Sequence, residues 1–343
     1  MARVLYGLMG TTFGHVVRAQ ALLARLPQHE FHFVGGGRVL EALQPVLEVP
    51  VARTIHKRQR VSVSATCGHL ARCTVRIPRV RRQILDLIER WQPHLAICDR
   101  EFYLPLAARA AGLRCIGLDH SHVLQVCRYP VPAAQFVHWS LSRLEDALFF
   151  NHTRQNLIIS FYHPPLRQPG LNELLPPLLR QEVRAQAASP GDHVLLYQST
   201  ATFPALIAAA RQLKRPVIVY GFRNEHAVDG NLTFKRFDMR QILADLASCA
   251  YAVVNGGHNL ICEALYYGKP VLCFPIHGVF EQFLNARHIR QLGYGDFTTT
   301  HAPTVTLFEN FERNLATYRT RIAANFVDGT DRVVQRVAEI IGE

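Results

Sequence analysis

The chain has no long apolar run, and none of its segments approaches the roughly 18 consecutive apolar residues that a membrane-spanning helix needs. It contains eight cysteines but no Cys-x-x-Cys pair, which favours reduced thiols over a disulfide framework or a zinc site. Met1 leads almost directly into a predicted strand, so we expect no signal peptide. These absences predict a cytoplasmic protein and leave open a peripheral contact with the inner face of a membrane.

Acidic residues are missing from the stretch 53–82. Within a chain of net charge +12, this stretch carries nine basic residues: Arg53, Lys57, Arg58, Arg60, Arg72, Arg76, Arg79, Arg81 and Arg82. One interpretation is a solvated, loop-rich surface. The other is a surface for an anionic partner, such as acidic lipid headgroups, a phosphorylated acceptor or nucleic acid. Because no nucleic-acid-binding motif accompanies the charges, nucleic acid alone is the weaker version.

The length and the alternation of predicted elements indicate two α/β domains. A chain of 343 residues is long enough for roughly two domains of ~150 residues. With 49% apolar residues it can bury two sizeable cores. Strand and helix patterns alternate in both halves, which is typical of parallel sheets covered by helices. We place the first domain at 1–163, a Pro-rich linker at 164–177 and the second domain at 178–343.

The most informative pattern lies in the stretch 251–287. A short β-branched run opens it, Asn255 and the Gly256-Gly257 pair break the run, and a helical pattern then ends at Gly268 before a second strand. This order predicts a βαβ unit with a glycine-rich helix start. The first turn of such a helix presents backbone N–H groups and the positive end of the helix dipole, which suit a phosphate. The alternative is an ordinary βαβ unit with a capping glycine.

Carboxylate and amide side chains follow this helix start at useful positions. Glu263 lies further along the helix, where its carboxylate is the type of group that accepts hydrogen bonds from ribose hydroxyls. Glu281 and Gln282 begin the next helical stretch and are suited to sugar hydroxyls. The stretch therefore predicts a pocket for a nucleotide diphosphate that carries a sugar.

The run NGGHNLICEALYYGKPVLCFPIHGVFEQFLNA resembles the donor-binding signature of inverting GT-B glycosyltransferases of families 1 and 28. These include the plant and macrolide nucleotide-sugar transferases and the bacterial enzyme that adds N-acetylglucosamine to lipid I. The positions that match the signature are Gly256, Gly257, Glu263, Gly268, Pro270, Glu281, Gln282, Asn285 and Ala286. Two positions depart from the plant signature, with Asn255 in place of His and Leu260 in place of Ser or Thr. Asn259 and backbone N–H groups can take over those phosphate contacts.

The resemblance implies a donor site in the second domain and no metal or other cofactor, with the nucleotide sugar as co-substrate and UDP as the default nucleotide. The Gln198-Ser199-Thr200 run ends a predicted strand, and the backbone at Phe237 is expected to hold the base. The full set of implied donor-binding residues is Ser199, Thr200, Phe237, Gly256, Gly257, His258, Asn259, Glu263, Glu281 and Gln282.

Two residues of the first domain are candidates for catalysis. Gly14 and His15 end a glycine-rich turn that resembles the first loop of GT-B transferases, where the matching His removes the proton of the acceptor hydroxyl. The alternative for His15 is a polar residue at a helix start. By the same resemblance Asp99, which ends an apolar strand, would sit near His15 and orient its ring. The alternative for Asp99 is an N-cap of the following helix.

Acceptor contacts are expected from Gly14, His120, His122 and Trp139. The two histidines follow a predicted strand, and the alternative for them is a metal site, for which no third ligand is in view. Trp139 lies in a predicted helix after a Pro-rich entry, and the alternative for it is simple packing.

The implied fold is two Rossmann-like domains facing across a cleft, with the acceptor on the first, the donor on the second and the last helix returning to the first. The implied reaction is a single displacement that inverts the anomeric carbon. The glutamate pair of retaining GT-B enzymes is absent, because Val271 stands where the second glutamate would be. Rival functions are a sugar-nucleotide epimerase and a non-catalytic binder of a nucleotide or polyanion. The missing G-x-G-x-x-G argues against a NAD-dependent oxidoreductase.

Overall fold

The computed structural model describes residues 1–343 except 12, 58–59, 151, 200–202 and 224. The chain forms two compact units. The first unit comprises Met1–Ile55, Ser62–Arg180 and Asp328–Glu343, and the second comprises His56–Val61 and Gln181–Val327. Across the described residues, no helix combines the length and the apolar character needed to cross a membrane.

The strands of the described residues are β1 (Arg3–Leu8), β2 (Glu30–Gly35), β3 (Val46–Glu48), β4 (His56–Lys57), β5 (Arg60–Val61), β6 (Leu95–Asp99), β7 (Cys115–Asp119), β8 (Gln155–Ile159), β9 (Asn172–Leu175), β10 (Val194–Tyr197), β11 (Val217–Tyr220), β12 (Ala227–Asp229), β13 (Leu232–Lys235), β14 (Tyr251–Val254), β15 (Val271–Cys273) and β16 (Gly295–Phe297).

The helices are α1 (Phe13–Leu23), α2 (Arg38–Ala42), α3 (Val63–Val75), α4 (Ile77–Trp91), α5 (Leu104–Ala110), α6 (Val123–Val126), α7 (Phe136–Phe149), α8 (Gln181–Ala185), α9 (Pro204–Ala210), α10 (Met239–Ser248), α11 (His258–Tyr266), α12 (Phe280–Leu292), α13 (Val305–Glu312), α14 (Leu315–Asn325) and α15 (Thr330–Gly342). A 3-10 turn at Ala133–Gln135 leads into α7.

The sheet of the first unit is parallel throughout, in the order β3-β2-β1-β6-β7-β8-β9. The chain starts in the middle at β1, winds outward to β3 and then returns to build the other half from β6. The order therefore reverses between β1 and β6, where Leu8 pairs with Asp99. In sheets of this kind ligands bind outside the carboxyl ends of the strands at the point of reversal.

The sheet of the second unit repeats the same winding, in the order β12-β13-β11-β10-β14-β15-β16. Its pairs are parallel except for the edge hairpin of β12 and β13. The reversal here lies between β10 and β14. The predicted α/β class with two Rossmann-like sheets is confirmed, and each unit has one switch point at which a ligand site is expected.

The last helix, α15, packs in the first unit. Its Val333, Val337 and Ile340 are buried in the same core as Tyr6 of β1 and Leu22 of α1. The apolar residues of α15 recur at intervals of three and four, so they form one stripe along the helix, and burial of this stripe attaches the chain end to the first sheet.

Two regions differ from the sequence-based expectation. The segment 164–177, predicted as a linker, contains β9, which pairs parallel with β8 and buries Leu175 in the core. The flanking prolines obscure this short strand in the sequence. One of the two interpretations of the basic stretch is a loop-rich surface; residues 63–75 instead form α3 because Thr66, Leu70 and Cys73 recur on one face and are buried.

Five arginines surround the junction of α3 and α4, and all are exposed. We call them the basic α3–α4 segment: Arg72, Arg76, Arg79, Arg81 and Arg82. Of the other predicted basic residues, Arg58 lies outside the described residues.

Candidate active site

Asn255 braces the strand ends at the switch point of the second unit. It directly follows β14, and its Oδ1 accepts a hydrogen bond from the backbone N–H of Ser199 at 2.7 Å. Its Nδ2 donates to the side chain of Gln198 and to the carbonyl of Phe274. The side chain is buried, with 3% exposed. Asn255 therefore ties the segments that follow β10, β14 and β15 together.

Gly256 makes a turn that only glycine accommodates without strain. Its φ is 104°, and a Cβ built on it would lie 2.8 Å from the carbonyl oxygen of Gln282. The fully buried Asn285 donates from Nδ2 to the Gly256 carbonyl at 3.0 Å. The signature residues of α12 thus hold the turn before α11 in place.

The turn leads directly into α11, for which Gly257 is the N-cap. The helix start therefore presents its backbone without an intervening capping side chain, as an anion site at a helix N-terminus requires. His258 and Glu263 are both buried, and Glu263 lies about one and a half turns from the helix start. His258 also lies 3.4 Å from the Cys262 sulfur through Nε2.

The other predicted donor residues lie at the same edge of the sheet. Asn259, Glu281 and Gln282 are half-buried, and Ser199 is exposed just beyond β10. The Oε1 atom of Gln282 accepts a hydrogen bond from the Ile276 N–H at 3.0 Å, so this amide also shapes the loop after β15. Thr200 lies outside the described residues.

Phe237 lies in an open cavity of about 720 Å³ at the carboxyl end of β13. The lining residues are Arg236, Phe237, Asp238, Arg240, Gln241 and Ala244. Asp238 caps α10 by accepting hydrogen bonds from two backbone N–H groups of the first turn. The Phe237 ring is 38% exposed and lies 6.0 Å from the Tyr197 ring, centroid to centroid. An exposed aromatic ring beside two arginines suits a flat, phosphorylated ligand.

In the first unit the switch point brings His15 and Asp99 together. His15 lies in the first turn of α1, and Asp99 is the last residue of β6. The His15 Nδ1 atom lies 2.7 Å from Asp99 Oδ1. Asp99 is fully buried, whereas the His15 side chain keeps 14% of its surface exposed. The predicted proximity is confirmed, and its catalytic role stays a prediction.

Arg18 was not expected at this position, although it lies on α1 one turn after His15. Its Nε donates to Asp99 Oδ2 at 3.0 Å and its Nη2 to Asp99 Oδ1 at 2.9 Å. Burial lowers the pKa of the guanidinium, but the facing Asp99 carboxylate outweighs burial and the pKa is raised overall. The i, i+3 spacing from His15 was the only signal in the sequence.

The interpretation of Asp99 as an N-cap of the next helix is wrong. Its carboxylate faces His15 and Arg18, and the acid at the start of α5 is Glu101, which accepts a hydrogen bond from the Leu104 N–H. Burial raises the pKa of the Glu101 carboxyl to about 7, although the backbone N–H groups bonded to it act in the opposite direction.

The histidines expected to contact the acceptor have partners within the unit. His120 Nδ1 lies 2.9 Å from the Ile159 carbonyl oxygen, and His122 Nδ1 lies 2.6 Å from Asp119 Oδ2. Both rings are buried at the carboxyl end of β7, next to β6. Burial acts to lower the pKa of His122, but Asp119 raises it overall. Acceptor contact by these rings stays a prediction.

Gly14 and Trp139 complete the predicted acceptor set. Gly14 lies in the first turn of α1 beside His15. Trp139, on α7, is half-buried between the Phe136 ring at 5.4 Å and the Arg143 guanidinium at 5.3 Å. The predicted helix is confirmed, and acceptor contact by these two residues stays a prediction.

Metal ligands do not cluster anywhere in the described part of the chain. Within these residues no group of three or more His, Cys, Asp or Glu side chains is placed to hold a metal ion.

A family model described as glycosyl transferase family 1 matches residues 2–315 of the chain. An uncharacterized glycosyltransferase of Methanosarcina acetivorans is 39% identical over 57 residues, which are 17% of this chain and 15% of the length of that relative.

Solved structures resemble the chain over nearly its whole length. MurG of Acinetobacter baumannii has a TM-score of 0.63 at 15% identity, with 99% of this chain and 100% of that chain covered. The Os79 structure from O. sativa, a complex with UDP, has a TM-score of 0.70 at 13% identity, with 99% and 100% covered. At these identities the likeness establishes the fold.

Proposed function

Because the chain belongs to glycosyl transferase family 1, we propose that it transfers a sugar from a nucleotide diphosphate sugar to an acceptor hydroxyl, with inversion of the anomeric carbon. UDP-sugar is the default donor. The observation that carries the proposal is the pair of His15 and Asp99, 2.7 Å apart at the switch point of the first sheet. A mostly buried imidazole that keeps some exposed surface and contacts a buried carboxylate is the arrangement of a general base.

The contact with Asp99 favours one division of roles between the two ring nitrogens of His15. An ionised carboxylate only accepts hydrogen bonds, so Nδ1 of His15 carries a proton and Nε2 carries the lone pair. Nε2 then removes the proton of the acceptor hydroxyl while the hydroxyl oxygen attacks the anomeric carbon. Asp99 stabilises the imidazolium that forms. Inversion follows because the reaction is one displacement.

The leaving group is the nucleoside diphosphate, which gains negative charge as its bond to the anomeric carbon breaks. The turn at Gly256 and Gly257 points the start of α11 at the carboxyl edge of the sheet. Backbone N–H groups and the helix dipole at such an end stabilise the growing charge without a metal. Asn259 adds an amide in the first turn, in support of a metal-independent reaction.

The remaining donor contacts follow from placement at the same edge. Glu263 is assigned to the ribose hydroxyls, and Glu281 and Gln282 to the transferred sugar. Phe237 and its cavity are assigned to the base. Ser199 and His258 are assigned to the phosphates of the donor.

For the acceptor we propose an anionic molecule that contacts the basic α3–α4 segment. Five exposed arginines without an acidic residue between them create a positive potential that attracts anions of any class. A lipid, a polysaccharide and a modified nucleic acid are the candidates, and the first agrees with a cytoplasmic protein at the inner face of a membrane.

The donor site is tested by thermal stabilisation with a panel of nucleoside diphosphates and nucleotide sugars. Binding to the folded state alone raises stability with ligand concentration, so we expect a shift with one nucleotide. The shift should vanish in Glu263→Ala and persist in Glu309→Ala, whose glutamate is exposed on α13 of the same unit. If no nucleotide shifts the wild-type protein, the α11 turn is only structural and the proposal fails.

The chemistry is tested with the donor identified in this way. His15→Ala should keep the nucleotide shift and lose sugar transfer by about 100-fold or more, as expected for loss of a general base. His94→Gln, at an exposed histidine of the first unit, should transfer normally. NMR of the product should show the anomeric configuration opposite to that of the donor. Epimerisation of the donor without any acceptor would favour the rival epimerase, and binding without turnover would favour the non-catalytic binder.

A further inference from the structure

Arg18 forms hydrogen bonds with the same Asp99 carboxylate that contacts His15. Its Nε and Nη2 atoms lie 3.0 and 2.9 Å from the two oxygens of Asp99, which is the bidentate geometry of a guanidinium on a carboxylate. Asp99 has none of its surface exposed and Arg18 has 6%. A buried two-point contact of this kind fixes the rotation of the carboxylate about its Cβ–Cγ bond, and with it the oxygen presented to His15.

The same guanidinium also lies against the imidazole. Arg18 Nη2 is 3.0 Å from His15 Nδ1, while that Nδ1 is 2.7 Å from Asp99 Oδ1. A cation at this distance opposes a second proton on the ring, whereas the carboxylate favours one. Arg18 therefore offsets the effect of Asp99, and the three groups together carry no net charge when His15 is neutral.

We propose that Arg18 is a positioning residue, which sets the orientation of Asp99 and, by its positive charge beside Nδ1, opposes a second proton on the His15 imidazole. This inference rests on the proposed function, in which His15 must begin the reaction as a free base. With the guanidinium removed, Asp99 would act on His15 alone, and the ring would hold its second proton to a higher pH.

Among the described residues, the other ionisable groups named on β1, β7 and α2 and just beyond α1 have partners or surroundings of their own. Tyr6 on β1 is buried, and burial together with the Asp99 charge raises the pKa of its hydroxyl, so it stays neutral. Asp119 on β7 is paired with His122. On α2, Arg38 stacks on the Phe13 ring, and just beyond the end of α1 Arg25 pairs with Asp331 of α15.

The test is an NMR titration of the His15 Cε1 proton, assigned by its disappearance in His15→Gln. In Arg18→Met the midpoint should rise by about one to two pH units, the usual effect of a neighbouring charge. Arg18→Lys keeps the positive charge but lacks the planar guanidinium group, so the midpoint should stay near that of the wild type. Arg25→Met, which removes an exposed arginine just beyond α1, serves as the control and should leave the midpoint unchanged.

Kinetics separate positioning from a purely structural role. In Arg18→Met, kcat at pH 7 should fall by about 10- to 100-fold and recover partly as the pH is raised, because the base is released again. The KM for the donor should change little, since Gly256 and Glu263 belong to the second unit. A loss of activity that is equal at all pH values would overturn the proposal.

Folding failure does not leave the inference untested. If Arg18→Met unfolds, Arg18→Lys decides it: a titration midpoint near that of the wild type together with a reduced kcat supports the proposal, and wild-type kcat overturns it. A midpoint in folded Arg18→Met within about 0.3 pH units of the wild type also overturns it, because a cation in contact with the ring should shift it further. The titration needs no turnover, so a wild-type protein that transfers no sugar defeats the proposed function and leaves this result standing.

Discussion

The buried carboxyl of Glu101 should make the stability of the first unit depend on pH. The side chain is 4% exposed and accepts a hydrogen bond from the Leu104 N–H at the start of α5. Burial raises its pKa from an ordinary 4.5 to about 7. Between these two values the folded protein holds a proton that the unfolded chain has released, so stability falls as the pH rises through this window.

The expected size follows from the same two values. A change in pKa from 4.5 to about 7 corresponds to about 3 kcal/mol, at about 1.4 kcal/mol for each tenfold change in proton affinity. In Glu101→Gln the side chain keeps an oxygen for the Leu104 N–H and cannot ionise. Relative to the wild type, this variant should therefore gain about 3 kcal/mol of stability between pH 5 and pH 8.

Urea unfolding followed by tryptophan fluorescence measures this difference in the intact chain. The chain has two tryptophans, Trp91 and Trp139, and both lie in the first unit, so the signal reports that unit. Glu89→Gln, at an exposed glutamate of α4, is the matched control and should follow the wild type at every pH. If the stabilities of Glu101→Gln and the wild type stay parallel from pH 5 to pH 8, the carboxyl is not held neutral and the reasoning is refuted.

Three further predictions concern the turn at Gly256, the buried pair of Asp119 and His122, and the basic α3–α4 segment. Gly256→Ala should lower stability by about 1–3 kcal/mol and abolish the nucleotide shift, because its φ is 104° and a Cβ would meet the Gln282 carbonyl; an unchanged thermal midpoint would contradict this. Asp119→Asn should cost about 3 kcal/mol in urea unfolding, since it leaves the His122 charge without its partner, and a loss below about 1 kcal/mol would count against a buried ion pair. Replacing the basic α3–α4 segment by glutamines should weaken binding of an anionic acceptor at low salt and hardly at high salt, and binding that is equal at both salt concentrations would remove the electrostatic argument.

The sequence predicts the local structure of the proposed donor site well. The spacing of apolar residues between Gly257 and Gly268 is a helical pattern, and the structure places α11 there. Such patterns are local, because residues three and four apart share a helix face whatever the rest of the chain does. The hydrogen bonds of Asn255, Gln282 and Asn285 could not be predicted in this way, because each of them joins separate segments of the chain.

The elements that are hard to predict from the sequence are those in which few residues show the apolar periodicity of a strand or helix. β9 has four residues, of which Leu175 is in the core, and it lies between prolines that are typical of a linker. Over α3 the buried face consists of Thr66, Leu70 and Cys73, so only one strongly apolar side chain marks it among polar neighbours. The secondary structure of such segments depends on tertiary packing. The residues against which they pack are distant in the sequence, so a local pattern does not include them.

Arg18 shows why sequence motifs do not reveal which charged groups meet at a site. In the sequence it is one of 38 basic residues and stands 81 positions from Asp99, with nothing to connect the two. The connection arises because parallel pairing sets the end of β6 beside the end of β1, from which α1 departs. His15 and Arg18, one turn apart on that helix, then meet the same carboxylate. Topology therefore brings the isolated Gly-His motif together with a carboxylate and a guanidinium, and the role proposed for His15 depends on all three groups.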